Sequence, residues 1–139
     1  MTFKLTFSGD EKRIADLRRE LAAELQEAVA LTGAEMSAEV QSSLSVSARS
    51  ADGRPQASEP GEPPHRRTGR LQNSIGCQIT DDGDTEFTAA VGDLSGSAPY
   101  AKELEYGTEA VRPRPFLLPA LVLGARRLAR RIKTLAKGG

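Results

Sequence analysis

The side chains with the widest chemical repertoire are one histidine, one cysteine and one tight cluster of aspartates. His65 stands beside Arg66 and Arg67. An imidazole there could shuttle protons, but no Ser, Cys or acid is patterned around it as a nucleophile or orienting partner. Cys77 is the chain's single cysteine, which excludes an internal disulfide and a Cys-based structural zinc cluster. It alternates with Ile75 and Ile79, so it reads as a small core residue. Asp81-Asp82-Gly83-Asp84 has the oxygen ligands of a calcium loop but neither the EF-hand spacing nor its distal Glu, and reads as a turn. With no Gly-rich phosphate loop and no group of His and acids, the sequence points away from catalysis, a metal or a cofactor.

The elements that must position these residues follow from periodicity. Thr2 to Phe7 alternates Phe3, Leu5 and Phe7 with polar residues, a short strand with one apolar face. Ser8-Gly9-Asp10-Glu11 fits a capping box for the helix that follows. Ile14, Leu17, Leu21, Leu25, Ala28, Met36, Val40 and Leu44 recur at helical spacing, giving one helix from about Asp10 to Ser45, with Thr32-Gly33 a place where it could bend. At ~1.5 Å per residue it is ~50 Å long. Ser47 to Gly69 holds four prolines and almost nothing apolar. That stretch is expected to be a mobile loop, or one that orders against a partner.

Arg70 to Ser74 is expected to make a helical turn feeding a hairpin. The alternation of Ile75, Cys77 and Ile79, then of Phe87, Ala89 and Val91, gives its two strands, with Gly83 in the turn. Pro99 opens a short helix, Tyr100 to Tyr106, that Gly107 caps. Arg112-Pro113-Arg114-Pro115 is extended because each Pro biases its predecessor away from helix. A last helix runs from Leu118 or Pro119 to Ala136 with Leu121, Ala125, Leu128, Ile132 and Leu135 as its apolar stripe. The fold class expected is α+β: a long N-terminal amphipathic helix and a C-terminal helix packed on a small antiparallel sheet with a β-hairpin. The chain, 1–139, suits one domain with a flexible loop at about 47–69.

Lys plus Arg and Asp plus Glu both number 19, yet the balance is an average of opposed ends. From Arg112 onward there are eight basic residues and no acid, while Asp10 to Glu39 carries eight acids against four bases. The basic helix could contact nucleic acid phosphates. Its other reading is a solvated face, or one that pairs with the acidic helix of the same or a neighbouring subunit. No aromatic residues interleave its arginines, which weakens single-strand binding. No apolar run approaches the ~20 residues of a membrane span, and the start lacks the apolar stretch of a signal peptide, so a soluble, intracellularly made protein is expected.

Three short stretches resemble one family. Pro63-Pro64 followed by Thr68-Gly69-Arg70-Leu71-Gln72-Asn73-Ser74-Ile75 is similar to the P…TGxLxxSI segment of tail-completion, or head-to-tail joining, proteins of tailed bacteriophages. Tyr100-Ala101-Lys102-Glu103-Leu104-Glu105-Tyr106-Gly107-Thr108 resembles their YAxxxExGT segment. Arg114-Pro115-Phe116-Leu117-Leu118-Pro119-Ala120-Leu121 resembles their RPFLxPAL segment. Order and spacing match as well, from about Pro63 to Leu121. Tyr106 departs conservatively from the Phe common before Gly-Thr, and the segment before Thr68 is the variable part, whose partner does not carry over.

The resemblance implies a non-catalytic virion protein without cofactor or metal. Such a subunit assembles in the bacterial cytoplasm into a ring, usually a hexamer, at the head-tail neck. Its partners would be other copies of itself, portal, adaptor or stopper proteins and the tail tube protein, with DNA passing through unread and no membrane involved. The residues expected at subunit or partner interfaces are Thr68, Gly69, Leu71, Tyr100, Glu105, Tyr106, Gly107, Pro115, Phe116, Arg127 and Arg131. Arg127 and Arg131 enter on charge, since a neighbour's acidic helix would suit them. For Phe116 two readings stand side by side: a fixed pocket on a partner, stiffened by the flanking prolines, or closure of the subunit's own core. The rival function is a small DNA-binding protein that uses the Arg-rich last helix on phosphates.

Overall fold

In the computed structural model, which describes residues 2–6, 11–81 and 86–138, three antiparallel strands form a sheet in the order β1-β3-β2. Strand β1 is Thr2–Thr6, β2 is Ile75–Asp81 and β3 is Glu86–Asp93. Helix α1 is Glu11–Ser43, α2 Arg70–Ser74, α3 Ala101–Tyr106 and α4 Leu118–Gly138. This is the α+β arrangement expected. Phe7, the capping residues Ser8 to Asp10 and the turn residues 82–85 lie outside the described residues.

The hairpin pairs Cys77 with Val91 and Ile79 with Ala89, and the register of β1 sets residues 3 and 5 opposite Ala89 and Phe87. Directly opposed residues of an antiparallel pair share a face. That face carries the buried Phe87, Ala89 and Val91 of β3, and α1 lies across it. Leu25, Val29, Met36 and Val40 turn inward from α1 at the spacing of one helical face, and Leu44, just past its end, continues the row. The helix runs unbroken through Thr32-Gly33. At Gly33 helix and sheet approach closely: a Cβ there would stand 2.6 Å from Cys77 Sγ and 3.1 Å from Ala89 Cβ. Cys77 is half-buried between the two core clusters, and burial pushes its thiol pKa up.

Helix α4 packs along α1 and reaches the sheet core through Leu128, which joins Leu25, Val29 and Phe87. Its apolar stripe differs from the expected one at Ala125, which is exposed; Gly124 is buried instead, so close to Met36 that a Cβ there would overlap Met36 Sδ. A glycine carries no hydrophobic signal, so side-chain periodicity passes over it. Among the described residues no helix is long and apolar enough to cross a membrane.

The Pro-rich segment carries hydrogen bonds of its own. Ser50 N–H donates to Arg54 O (2.9 Å) and Gln56 N–H to Ala48 O (2.9 Å), a small hairpin that Gly53 turns with φ 80°. Farther on, Gly61 N–H donates to Pro113 O (3.0 Å), Arg114 to Ser58 O (3.2 Å) and Arg66 N–H to Val46 O (2.6 Å). Backbone groups thus compensate for the missing apolar side chains, and Pro64 and Ser58 are buried.

Candidate functional site

Glu105 ties two of the three sequence motifs together. Helix α3 ends at Tyr106 because Gly107 adopts φ 74° and its N–H returns to Glu103 O. That turn places the Glu105 carboxylate, 6% exposed, under the start of α4. Oε2 accepts the N–H groups of Phe116 (2.8 Å) and Leu117 (2.9 Å), and Oε1 accepts that of Leu118 (2.9 Å). The first turn of a helix has N–H groups without intrahelical partners and a partial positive charge. One carboxylate satisfies three such donors, from eleven to thirteen residues away.

The neighbouring motif residues shape the same joint. A Cβ on Gly107 would lie 2.8 Å from Pro113 Cδ and 2.9 Å from Val111 O, so glycine is required there by space as well as by φ. Thr108 Oγ1 accepts the N–H groups of Ala110 (3.2 Å) and Val111 (3.1 Å) and closes the turn that leads to Pro113. Arg114 N–H donates to Leu104 O (2.7 Å). Phe116, 2% exposed, then drops into the core with Met36, Ile75 and Val91.

Several expected interface residues are therefore spent inside the chain. Glu105 caps α4, and Phe116 closes the chain's own core. Leu71 and Gly69 are buried, Gly69 with φ 80° as the cap of α2, while Pro115 and Gly107 are half-buried. Thr68, Tyr100 and Tyr106 are exposed, Tyr106 at 66%. Thr68, Gly69, Leu71 and Tyr100 line a cleft of about 500 Å³ between the Pro-rich segment, α2 and α3.

Arg127 and Arg131 require the clearest correction. Expected against a neighbour's acidic helix, both bind α1 of the same chain. Arg127 pairs with Glu39 and lies 3.9 Å from Glu35; Arg131 donates to Glu35 Oε1 (2.6 Å) and Thr32 Oγ1 (2.7 Å). Thr32 is fully buried, and its hydroxyl donates a hydrogen bond to Ala28 O at 2.7 Å. The Arg131 hydrogen bond foremost, with the charges of Arg131 and Arg127, holds the Glu35 carboxyl below its ordinary pKa against the opposing effect of burial. These contacts join residues 88 to 99 positions apart, so sequence spacing could not assign them to one chain or two.

What remains outward on α4 is a second stripe. Leu118, Val122, Arg126, Arg130, Lys133 and Lys137 recur every three or four positions and are exposed. Its first two turns are apolar and the rest basic, and none of its cations has an ion pair among the described residues. Sequence reading missed this division because it treated the helix's charge as one block.

His65 sits at the edge of the cleft, where its Nδ1 donates to Gln56 O at 2.9 Å. Among the described residues no group of three or more His, Cys, Asp and Glu side chains is placed to hold a metal ion. Compared with family models, curated proteins and solved structures, the chain matches none.

Proposed function

We propose that this protein is a structural ring subunit of the head-tail neck of a tailed phage or prophage-derived particle, acting in tail completion or termination. One observation carries the reading: the YAxxxExGT and RPFLxPAL segments meet at the Glu105 cap, which fixes an exposed apolar patch made of Tyr106, Leu118 and Val122. Exposed apolar side chains set around a rigid, internally satisfied joint suit a surface that another subunit covers. A ring made from one kind of subunit uses a heterologous contact, in which this patch meets a different surface of the next copy and closes when the rotation per subunit divides the circle. Portal, adaptor or stopper proteins and the tail tube protein would stack above and below, and DNA would pass without sequence readout.

Mass measurement of the purified chain, alone and mixed with tail tube protein, tests this. The expected result is a closed ring of fixed stoichiometry, a hexamer by the resemblance. Val122→Asp should give a monomer with an unchanged circular dichroism spectrum. The basic half of the outer α4 stripe favours a second reading, a small protein that holds duplex DNA by its phosphates. A chain that stays monomeric in every mixture and binds linear duplex with steep salt dependence would establish that reading instead.

A further inference from the structure

We infer that the cleft between the Pro-rich segment and helices α2 and α3 binds an acidic peptide segment that brings an aliphatic side chain alongside its carboxylate. The inference goes beyond the ring reading and does not depend on it. Arg66, Arg67, Arg70 and Arg114 line the cleft, and no carboxylate does. Four arginines around one concavity bring like charges together unless an anion enters, and the low-dielectric walls concentrate their field. The side chains of Arg66, Arg67 and Arg70 have no hydrogen-bond or ion-pair partner among the described residues. They are not neutralised from within the fold, in contrast to Arg127 and Arg131.

Two further observations point to a ligand. Ser58 is 5% exposed and lines the cleft, yet its Oγ has no hydrogen-bond partner. A buried hydroxyl left unmatched costs free energy that an incoming acceptor would recover. Beside it, Arg114 is held in place by giving Nε and Nη2 to Ser58 O, both at 3.2 Å, so its guanidinium is ordered before any ligand arrives and Nη1 still offers a donor.

The apolar lining selects the chemistry. Leu44, Leu71, Leu104 and Pro64 supply a surface for an aliphatic side chain next to the cations. Tyr100 is the sole Phe, Tyr or Trp in the lining, whereas a single strand of nucleic acid is held by successive aromatic platforms. A rigid duplex is better met by the convex basic stripe of α4 than by a concave cleft. An extended acidic peptide fits all three features: guanidinium groups, orphan hydroxyl and apolar wall.

The test uses the full chain and a short fluorescent peptide in which Glu alternates with Leu, read by anisotropy. Saturable binding is expected, lost when the Glu residues become Gln. Arg67→Gln and Arg70→Gln should each weaken it by up to about fivefold, the range of single solvent-accessible charge pairs. Both side chains are exposed and unpaired, so the variants should keep the wild-type circular dichroism. The double variant Arg130→Gln/Lys133→Gln, on the α4 stripe, should bind the peptide as wild type does. An equal loss in that control would reduce the effect to general charge attraction and overturn the site. So would the absence of saturable binding, or an oligothymidylate binding more tightly than the peptide.

Discussion

The carboxylate of Glu105 accepts the backbone N–H of Phe116 at 2.8 Å, and this bond stands where the last sixth of the chain begins. Proline at 113, 115 and 119 removes backbone donors around Phe116 and stiffens the approach to α4. The donors that remain at 116, 117 and 118 converge on one acceptor group. Capping thereby sets the start of α4, directs Phe116 into the core and leaves Leu118 facing out.

Removing that acceptor should be costly. Glu105→Ala strands three N–H groups at a partly buried helix start and is expected to lose about 2–4 kcal/mol of stability. Glu105→Gln keeps one acceptor oxygen and should lose less. Urea unfolding of both variants measures the difference; equal stability of Glu105→Ala and wild type would remove the cap from the account.

Gly33→Ala sets two effects against each other. Alanine in mid-helix gains about 1 kcal/mol over glycine. Its Cβ would lie 2.6 Å from Cys77 Sγ and 3.1 Å from Ala89 Cβ, and such overpacking costs about 1–3 kcal/mol. Cys77 is held in a strand and cannot retreat easily, so net destabilisation is expected. The double variant with Cys77→Ala should recover the helical gain, which thermal melts would show as a higher Tm than either single change.

Much of the fold was legible in the sequence because its signals are local. Alternation marked the hairpin, Gly107 and Pro99 bounded α3, and the apolar spacing from Leu25 to Leu44 marked the inner face of α1. The roles that escaped depend on partners far along the chain. Glu105 stood out as a motif residue, but nothing nearby tells that its acceptors serve residues 116 to 118. Arg127 and Arg131 read as partners for a neighbour's acidic helix because their own acids precede them by 88 to 96 positions. Gly124 and Ala125 exchanged places because spacing counts side chains, and the helix contact is made where one is missing.

The Pro-rich segment should open in a set order. Its outer hairpin ends in an exposed turn, with the Arg54 side chain 85% exposed, whereas residues 58 and 61 are tied to Arg114 and Pro113. Subtilisin should nick the native chain within residues 50–54 first. Arg114→Ala should add an early cut between residues 57 and 62, identified by fragment mass. The same cleavage pattern in both proteins would show that the Ser58 contact does not hold the segment.

The Arg131–Glu35 pair yields the last prediction, through pH. Glu35 has a depressed folded pKa, so its contribution to stability is fully present above the ordinary value of 4.5 and is lost as pH falls through the folded value. Both side chains are about one-third exposed, which limits the pair to about 1 kcal/mol, or roughly 4 °C in Tm for a chain of this size. Arg131→Gln should therefore melt a few degrees below wild type at neutral pH, and the gap should narrow once Glu35 is protonated in both proteins. Arg131→Glu should do worse than Arg131→Gln at neutral pH, because it sets a second carboxylate against Glu35 and leaves Thr32 Oγ1 without its donor. Arg130→Glu, one position away on the outward stripe, should melt like wild type throughout. Identical melting of the 130 and 131 reversals would mean that α4 does not pair with α1 inside the chain, and the charge would return to a neighbouring subunit.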